Sequence, residues 1–349
     1  MTLRDAVKTA DNSVSRAARE LATTSSNRSA SQLERLAAFS EIIDREIGDT
    51  WLRRSRGLER DFDRNRVYLK FEGDNPTGTQ KDRIAFAHVE EALRDGFDRV
   101  SLATCGNYGV AVALAAKLAG LGCDIFLPAA YHSKRLGEME ALGARISRPA
   151  GTYEDAVSDS RAYADREGCY DANPGGSNTD LQMRAYAAIA GEIVRDLSTV
   201  PDEVAVPVSN GTLLAGIFQG FERLYRNGHI DRLPRMVAAS SIRKNPIVTS
   251  FLQGSRRCLD LDPRAIHETT VNEPLVNWHS FDGQEALDAV FGSGGGAAHV
   301  RDEQMRKMSA YLSQKEALQV LPASTAGLIA LTERPSDQSV QIAVLTAKR

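Results

Sequence analysis

The stretch Arg99-Val-Ser-Leu-Ala-Thr-Cys-Gly-Asn-Tyr-Gly-Val-Ala-Val-Ala-Leu-Ala-Ala-Lys-Leu-Ala-Gly-Leu-Gly-Cys-Asp-Ile-Phe-Leu-Pro128 decides the fold. Arg99–Thr104 is a short apolar run, Gly109–Ala119 is rich in alanine, and Cys123–Leu127 is apolar again and stopped by Pro128. These read as strand, helix and strand. Strands separated by a helix of this length pair in parallel through a right-handed crossover.

The alternation extends on both sides. Upstream, Val67–Phe71 reads as a strand, Asp74-Asn-Pro-Thr-Gly78 as a loop, and Lys81–Arg94 as a helix. Ile84, Ala85, His88, Val89 and Ala92 share one stripe of that helix, and Gly96 ends it. Downstream, helices are predicted over Arg135–Leu142, Tyr153–Arg166, Leu181–Leu197 and Leu213–Tyr225, and strands over Arg145–Arg148, Glu203–Val208 and Met236–Ala239. Residues 245–299 read as loop-rich, ending in the glycine run 292–296, which is taken as a flexible loop. A final helix–strand–helix–strand pattern closes at Gln341–Thr346. Ahead of all this, Leu33, Leu36, Ala37, Ile42 and Ile43 lie near helical spacing and mark a helical N-terminal layer. The expected fold class is α/β, with helices layered on mostly parallel sheets.

Composition bounds the function classes. The chain has 349 residues, 43 Lys+Arg against 46 Asp+Glu, 42% hydrophobic and 26% charged residues, the balance of an ordinary globular protein. A charge this near neutral gives no reason to expect a polyanionic partner such as nucleic acid, which would favour a basic face. No run of about 18 apolar residues exists, so no membrane helix is expected. The start, Met1-Thr-Leu-Arg-Asp-Ala-Val-Lys8, lacks the apolar core of a secretory signal, which makes a cytoplasmic location the expectation. Cys105, Cys123, Cys169 and Cys258 form no Cys-x-x-Cys, and neither a disulfide framework nor a metal site is written here. His88 and His132 are read as surface or core residues.

Three loops at carboxyl ends of predicted strands carry the candidate chemistry, because open α/β sheets bind ligands there. Lys81 opens a helix, where the positive end of the dipole opposes its charge and favours the neutral, nucleophilic amine. The plainer alternative is a solvated lysine paired with Asp82 or Glu72. Thr104-Cys-Gly-Asn-Tyr-Gly109 joins strand to helix, with small residues and helix-start amides that suit a carboxylate. As half of a dinucleotide fingerprint it lacks the acid expected at the end of the next strand. Ser209-Asn-Gly-Thr-Leu213 turns from strand into helix as a phosphate cup would, without the Gly-Lys-[Ser/Thr] of a nucleotide loop; a tight structural turn is the plainer alternative.

In combination and in this order, the three resemble the fold-type II, tryptophan-synthase-β-like enzymes that use pyridoxal 5′-phosphate. Lys70-Phe-Glu-Gly-Asp-Asn-Pro-Thr-Gly-Thr-Gln-Lys-Asp-Arg83 is similar to the lysine motif of threonine synthases and cysteine synthases. The resemblance implies that Lys81 is catalytic and joins the cofactor as a Schiff base. It implies that Asn107 hydrogen-bonds the cofactor's 3′-oxygen and that Thr104, Cys105, Gly106, Asn107 and Tyr108 hold the substrate α-carboxylate. Ser209, Asn210, Gly211, Thr212 and Leu213 would cradle the phosphate. Ala343-Val-Leu-Thr346 resembles the strand whose hydroxyl residue, here Thr346, faces the pyridine nitrogen. Ile47-Gly-Asp-Thr-Trp-Leu52, Arg135–Ala144, Val300-Arg-Asp-Glu303 and Leu321-Pro-Ala-Ser-Thr-Ala-Gly327 extend the likeness over about residues 47–346. It implies two three-layer αβα lobes with the cofactor in the cleft between them. The lobes would comprise a large domain of residues 47–84 and 176–349 and a small domain of 85–175, after a helical layer of 1–46.

The implied activity is elimination or replacement at the β or γ carbon of an amino acid with a leaving group. It is threonine-synthase-like, acting on O-phosphohomoserine. Two departures matter. Asn173-Pro-Gly-Gly-Ser-Asn-Thr-Asp-Leu-Gln-Met-Arg184 lacks the arginine expected on a substrate phosphate, or has moved it to Arg184. Tyr108 replaces a smaller residue, either as a packing aromatic or as a phenol for acid–base work. Lys81-Asp-Arg-Ile-Ala85 leans toward cysteine synthases. A β-replacement synthase, cysteine-synthase- or cysteate-synthase-like, on O-phosphoserine or O-acetylserine is therefore the alternative, with a threonine or serine dehydratase behind it. A cofactor-binding protein without catalysis is disfavoured by the intact lysine. Because family members are often dimers, a homodimer is expected.

Overall fold

The computed structural model describes residues 13–104, 106–130, 133–334 and 339–349. Cys105 and His132 lie outside the described residues. The chain forms two compact units, Met1–Gly48 with Asn75–Asn173 and Asp49–Asp74 with Pro174–Arg349. No helix among the described residues is long and apolar enough to cross a membrane.

The strands, in chain order, are β1 (Leu52–Arg54), β2 (Arg66–Phe71), β3 (Arg99–Ala103), β4 (Gly122–Phe126), β5 (Arg145–Ser147), β6 (Tyr170–Asp171), β7 (Glu203–Pro207), β8 (Arg235–Ser241), β9 (Gly296–Val300) and β10 (Val340–Leu345). In the first unit the sheet runs β5-β4-β3-β6, parallel throughout. The helix Asn107–Ala119 is buried on nearly every side, which is why its sequence shows no polar face. Its last carbonyls and those of Lys81–Arg94 are capped by the N-terminal helices Arg16–Ser25 and Gln32–Glu46. Ser25 Oγ donates to Leu118 O at 2.6 Å, Arg35 Nη2 to Ala119 O at 2.9 Å and Gln32 Nε2 to Leu93 O at 3.0 Å. A helix end leaves such carbonyls unbonded, and these side chains satisfy them. The N-terminal layer and the Lys81 helix cluster with residues 85–173 in the first unit.

In the second unit the sheet runs β1-β2-β10-β7-β8-β9, with β1 antiparallel at the edge and all other pairs parallel. Val67, Leu69, Phe71, Ala205, Val237, Ala239, Ala343 and Leu345 bury one face against Leu328, Ile329 and Leu331 of the helix Ala326–Thr332. The alternation along strands puts Val204, Val206, Ile342 and Val344 on the other face. With both faces covered, these strands read as continuous apolar runs. The helices Thr179–Leu197 and Thr212–Arg226 pack closely at two glycines. A Cβ on Gly216 would lie 2.8 Å from Met183 O, and one on Gly220 2.3 Å from Ala187 O.

Three expectations are corrected. The 245–299 stretch contains the helices Pro246–Leu252 and Gly283–Gly292, and its glycine run leads into β9. A Cβ on Gly295 would sit 1.9 Å from Met236 O, so the glycines let the chain enter the sheet beside β8. Between Asp302–Lys315 and Ala326–Thr332 no strand forms among the described residues; Pro322–Thr325 is a 3-10 turn.

Candidate active site

In the first unit the loop after β2 is pinned before Lys81 is reached. Asp82 Oδ2 accepts from Thr77 N–H at 3.1 Å and Thr77 Oγ1 at 2.9 Å, while Gly78 turns at φ +84°. Gly48 N–H donates to Asn75 Oδ1 at 3.0 Å. Lys81 then opens its helix, partly buried, with Nζ 5.6 Å from the centroid of the Tyr108 ring. The two carboxylates once considered as its partners are engaged elsewhere as well: Asp82 with Thr77, and Glu72 with the Thr50 hydroxyl at 2.7 Å. Asp82 has no exposed surface and its Oδ1 is left without a hydrogen bond; burial pushes its carboxyl up to about 7.

The loop after β3 is folded around Thr104, whose Oγ1 accepts from Gly106 N–H at 3.1 Å and Gly109 N–H at 3.2 Å. A Cβ on Gly109 would meet the Thr104 methyl at 2.6 Å, which is why the turn needs a glycine there. Tyr108 is buried and its phenol donates to Ala172 O at 2.6 Å. The ring centroid lies 5.6 Å from Lys81 Nζ while the hydroxyl is engaged by Ala172 O. Asn107 is partly buried, and its Oδ1 accepts from Arg135 Nη1 at 3.0 Å. Lys81, Asn107 and Tyr108 are thereby assembled by one unit.

In the second unit β7 runs into Ser209–Gly211 and the helix Thr212–Arg226, whose start has no side-chain cap. Its first helical bond is Ala215 N–H to Gly211 O at 3.1 Å, so the N–H groups of Thr212, Leu213 and Leu214 precede the ladder and point out of the helix start. Gly211 is at φ +96°, and a Cβ there would lie 2.6 Å from Asp282 O. The turn is braced from the segment read as loop: Asn245 Nδ2 and Ser280 Oγ donate to Ser209 O at 2.9 and 3.0 Å, and Asn277 Nδ2 donates to Asn210 Oδ1 at 3.1 Å. Buried Asp282 accepts from Thr179 Oγ1 at 2.6 Å and from the Thr212 hydroxyl. Thr212 therefore offers an incoming anion its N–H, its hydroxyl proton being committed to Asp282. Thr346 follows β10, whose register with β7 continues to place it level with Val208, at the same sheet end as the cup. Its Oγ1 donates to Ser324 Oγ at 3.3 Å. Arg184, the suggested replacement arginine, is exposed.

Sequence reasoning did not foresee the contacts of Asp82 and Arg135, and it did not single out Asn245, Asn277, Ser280 or Asp282. Only Asp82, next to Lys81, carried a local signal; the others act across long sequence separations. Burial pushes the Cys258 thiol up to about 12 and raises the Cys123 thiol as well, so neither is poised as a thiolate nucleophile. No cluster of three or more metal-ligating side chains occurs among the described residues.

Residues 43–346 match the family model described as pyridoxal-phosphate dependent enzyme. The threonine synthase of Methanocaldococcus jannaschii is 31% identical over 294 residues, 84% of this chain and 71% of that protein. That of Methanosarcina acetivorans is 31% identical over 270 residues, 76% of this chain and 64% of its own length. A pyridoxal 5′-phosphate-dependent aspartate racemase shares the fold with a TM-score of 0.75 over 90% of this chain and 94% of its own, at 17% identity. The donor set fits that cofactor: an uncapped helix start with a glycine turn for a phosphate, and a primary amine at a second helix start for an aldehyde. With the match spanning most of its length, the chain belongs to the pyridoxal-phosphate-dependent enzymes of fold type II.

Proposed function

We propose that this enzyme eliminates or replaces a leaving group on the β or γ carbon of an amino acid, in the manner of threonine synthase acting on O-phosphohomoserine. The bound cofactor supplies an electron sink that makes the substrate's α-proton acidic. Lys81 Nζ would hold the cofactor's aldehyde carbon, and its neutral amine, positioned at the helix start, would take the substrate's α-proton as general base. The Tyr108 ring lies 5.6 Å from that amine. The N–H groups of the Thr104–Tyr108 loop bind the α-carboxylate, with Thr104 Oγ1 fixing the turn that aims them. Asn107 would hold the cofactor at its 3′-oxygen, Ser209–Leu213 at its phosphate and Thr346 at its ring nitrogen.

The observation that carries this reading is Lys81 at the start of its helix, held on the pinned Thr77–Asp82 loop beside Tyr108, in a chain 31% identical to a threonine synthase. The Lys81-Asp-Arg-Ile-Ala85 run and the exposed position of Arg184 favour the second reading, a β-replacement synthase using O-phosphoserine or O-acetylserine. The purified protein is to be mixed in turn with O-phosphohomoserine, O-phosphoserine, O-acetylserine and threonine and its visible spectrum followed. No change with O-phosphohomoserine overturns the threonine synthase reading, and a change with O-acetylserine establishes the second. Lys81→Ala is expected to abolish the lysine-linked visible band and turnover; retention of both refutes the role of Lys81. We also place the enzyme in the cytoplasm as a homodimer, the second point being testable by sedimentation.

A further inference from the structure

Arg135 lies just before the short helix Leu136–Ala141 and reaches three places at once. Its Nε and Nη2 hold Glu138 at 3.1 and 2.7 Å, Nη2 also donates to Thr77 O at 3.1 Å, and Nη1 donates to Asn107 Oδ1 at 3.0 Å. Guanidinium has donors only, so the end of the Asn107 amide that faces it must be the oxygen. The amide nitrogen is then the end turned away, free to donate to an acceptor. Without such a partner the two ends of an amide are interchangeable in shape. The same guanidinium grips the carbonyl of Thr77, the residue whose N–H and hydroxyl bind Asp82, one position after Lys81.

We infer that Arg135 is the positioning residue for cofactor recognition, locking the Asn107 amide with its N–H toward the cofactor's 3′-oxygen and fixing the Thr77 loop that delivers Lys81. The inference rests on the proposed roles of Lys81 and Asn107. Glu138 completes the device by holding the Nε–Nη2 edge of the guanidinium, leaving Nη1 for Asn107.

The test uses the holoenzyme in four forms: wild type, Arg135→Met, Asn107→Ala and the double variant, with Arg135→Lys as the conservative control. Cofactor affinity is read by dialysis, and the ratio of visible to near-ultraviolet absorbance reports whether the 3′-oxygen receives a proton donor. Arg135→Met is expected to weaken affinity about tenfold and to move the absorbance ratio toward that of Asn107→Ala, as loss of a charge-assisted hydrogen bond would. Arg135→Lys retains one donor and should recover part of the ratio. In the double variant the Arg135 effect on the absorbance ratio should vanish, because that effect acts through Asn107, while an affinity loss through the Thr77 loop remains. Additive changes in the ratio, or an unchanged ratio in Arg135→Met, overturn the inference while leaving the site reading intact. A lysine-linked band that survives Lys81→Ala overturns both.

Discussion

Asp82 offers a test of the pinned lysine loop that does not depend on turnover. Its carboxylate is fully buried, with Oδ2 accepting from Thr77 N–H and Oγ1 and Oδ1 unbonded, and burial raises the carboxyl from 3.8 to about 7. Between those values the folded chain keeps a proton that the unfolded chain has released. Stability attributable to Asp82 is therefore complete below about pH 4 and is lost as pH rises toward 7. Two pH units of this window, at about 1.4 kcal/mol each, amount to about 3 kcal/mol between pH 5 and pH 8. Asp82→Asn keeps an oxygen for Thr77 N–H and never ionises. The variant should be the less stable protein at pH 5, by about 1 kcal/mol for a disturbed hydrogen bond, and should gain about 3 kcal/mol relative to wild type by pH 8. Urea unfolding of both proteins across this range, followed by circular dichroism, measures the difference. Taking the difference matters because His88, with its imidazole lowered to about 3 by burial, titrates in the opposite sense, its contribution being lost as pH falls below 6.5. A wild-type-to-variant gap that stays constant within about 0.5 kcal/mol from pH 5 to pH 8 would refute the buried-acid account.

Tyr108→Phe removes a hydrogen bond to Ala172 O and should cost about 1 kcal/mol in unfolding experiments while the pH profile of turnover keeps its shape; a lost limb of the profile would restore the phenol to acid–base chemistry. Gly220→Ala places a methyl 2.3 Å from Ala187 O and should destabilise the second unit by about 1–3 kcal/mol, read as a lowered melting temperature. Lys70 is fully buried and paired with Glu192 and Thr50 O, so Lys70→Met should cost about 3–5 kcal/mol by breaking a buried ion pair; Lys70→Met with Glu192→Leu should recover most of it in the same melt.

The α/β class, the positions of most helices and the two loops that bear Lys81 and Asn107 are legible in the sequence, because local periodicity and glycine turns are local properties. The strand Gly296–Val300 was not, since its glycines look like a flexible run until β8 is beside them and Met236 O leaves no room for a side chain. Arg56–Asp61 and Pro246–Leu252 were missed for a related reason: helices of 6 and 7 residues carry too few turns to show a stripe.

Sequence by itself determined which residue types the chemistry has to work with: one lysine at a helix start, an amide at another, and a glycine turn opening a third. Tertiary structure decided how they are held. Arg135 orients Asn107 across 28 positions, Asp282 takes the Thr212 hydroxyl across 70, and Ala172 takes the Tyr108 phenol across 64. A hydrogen bond between residues so far apart leaves no periodic trace along the chain, because its two ends meet only after the sheets have brought distant loops to the same edge.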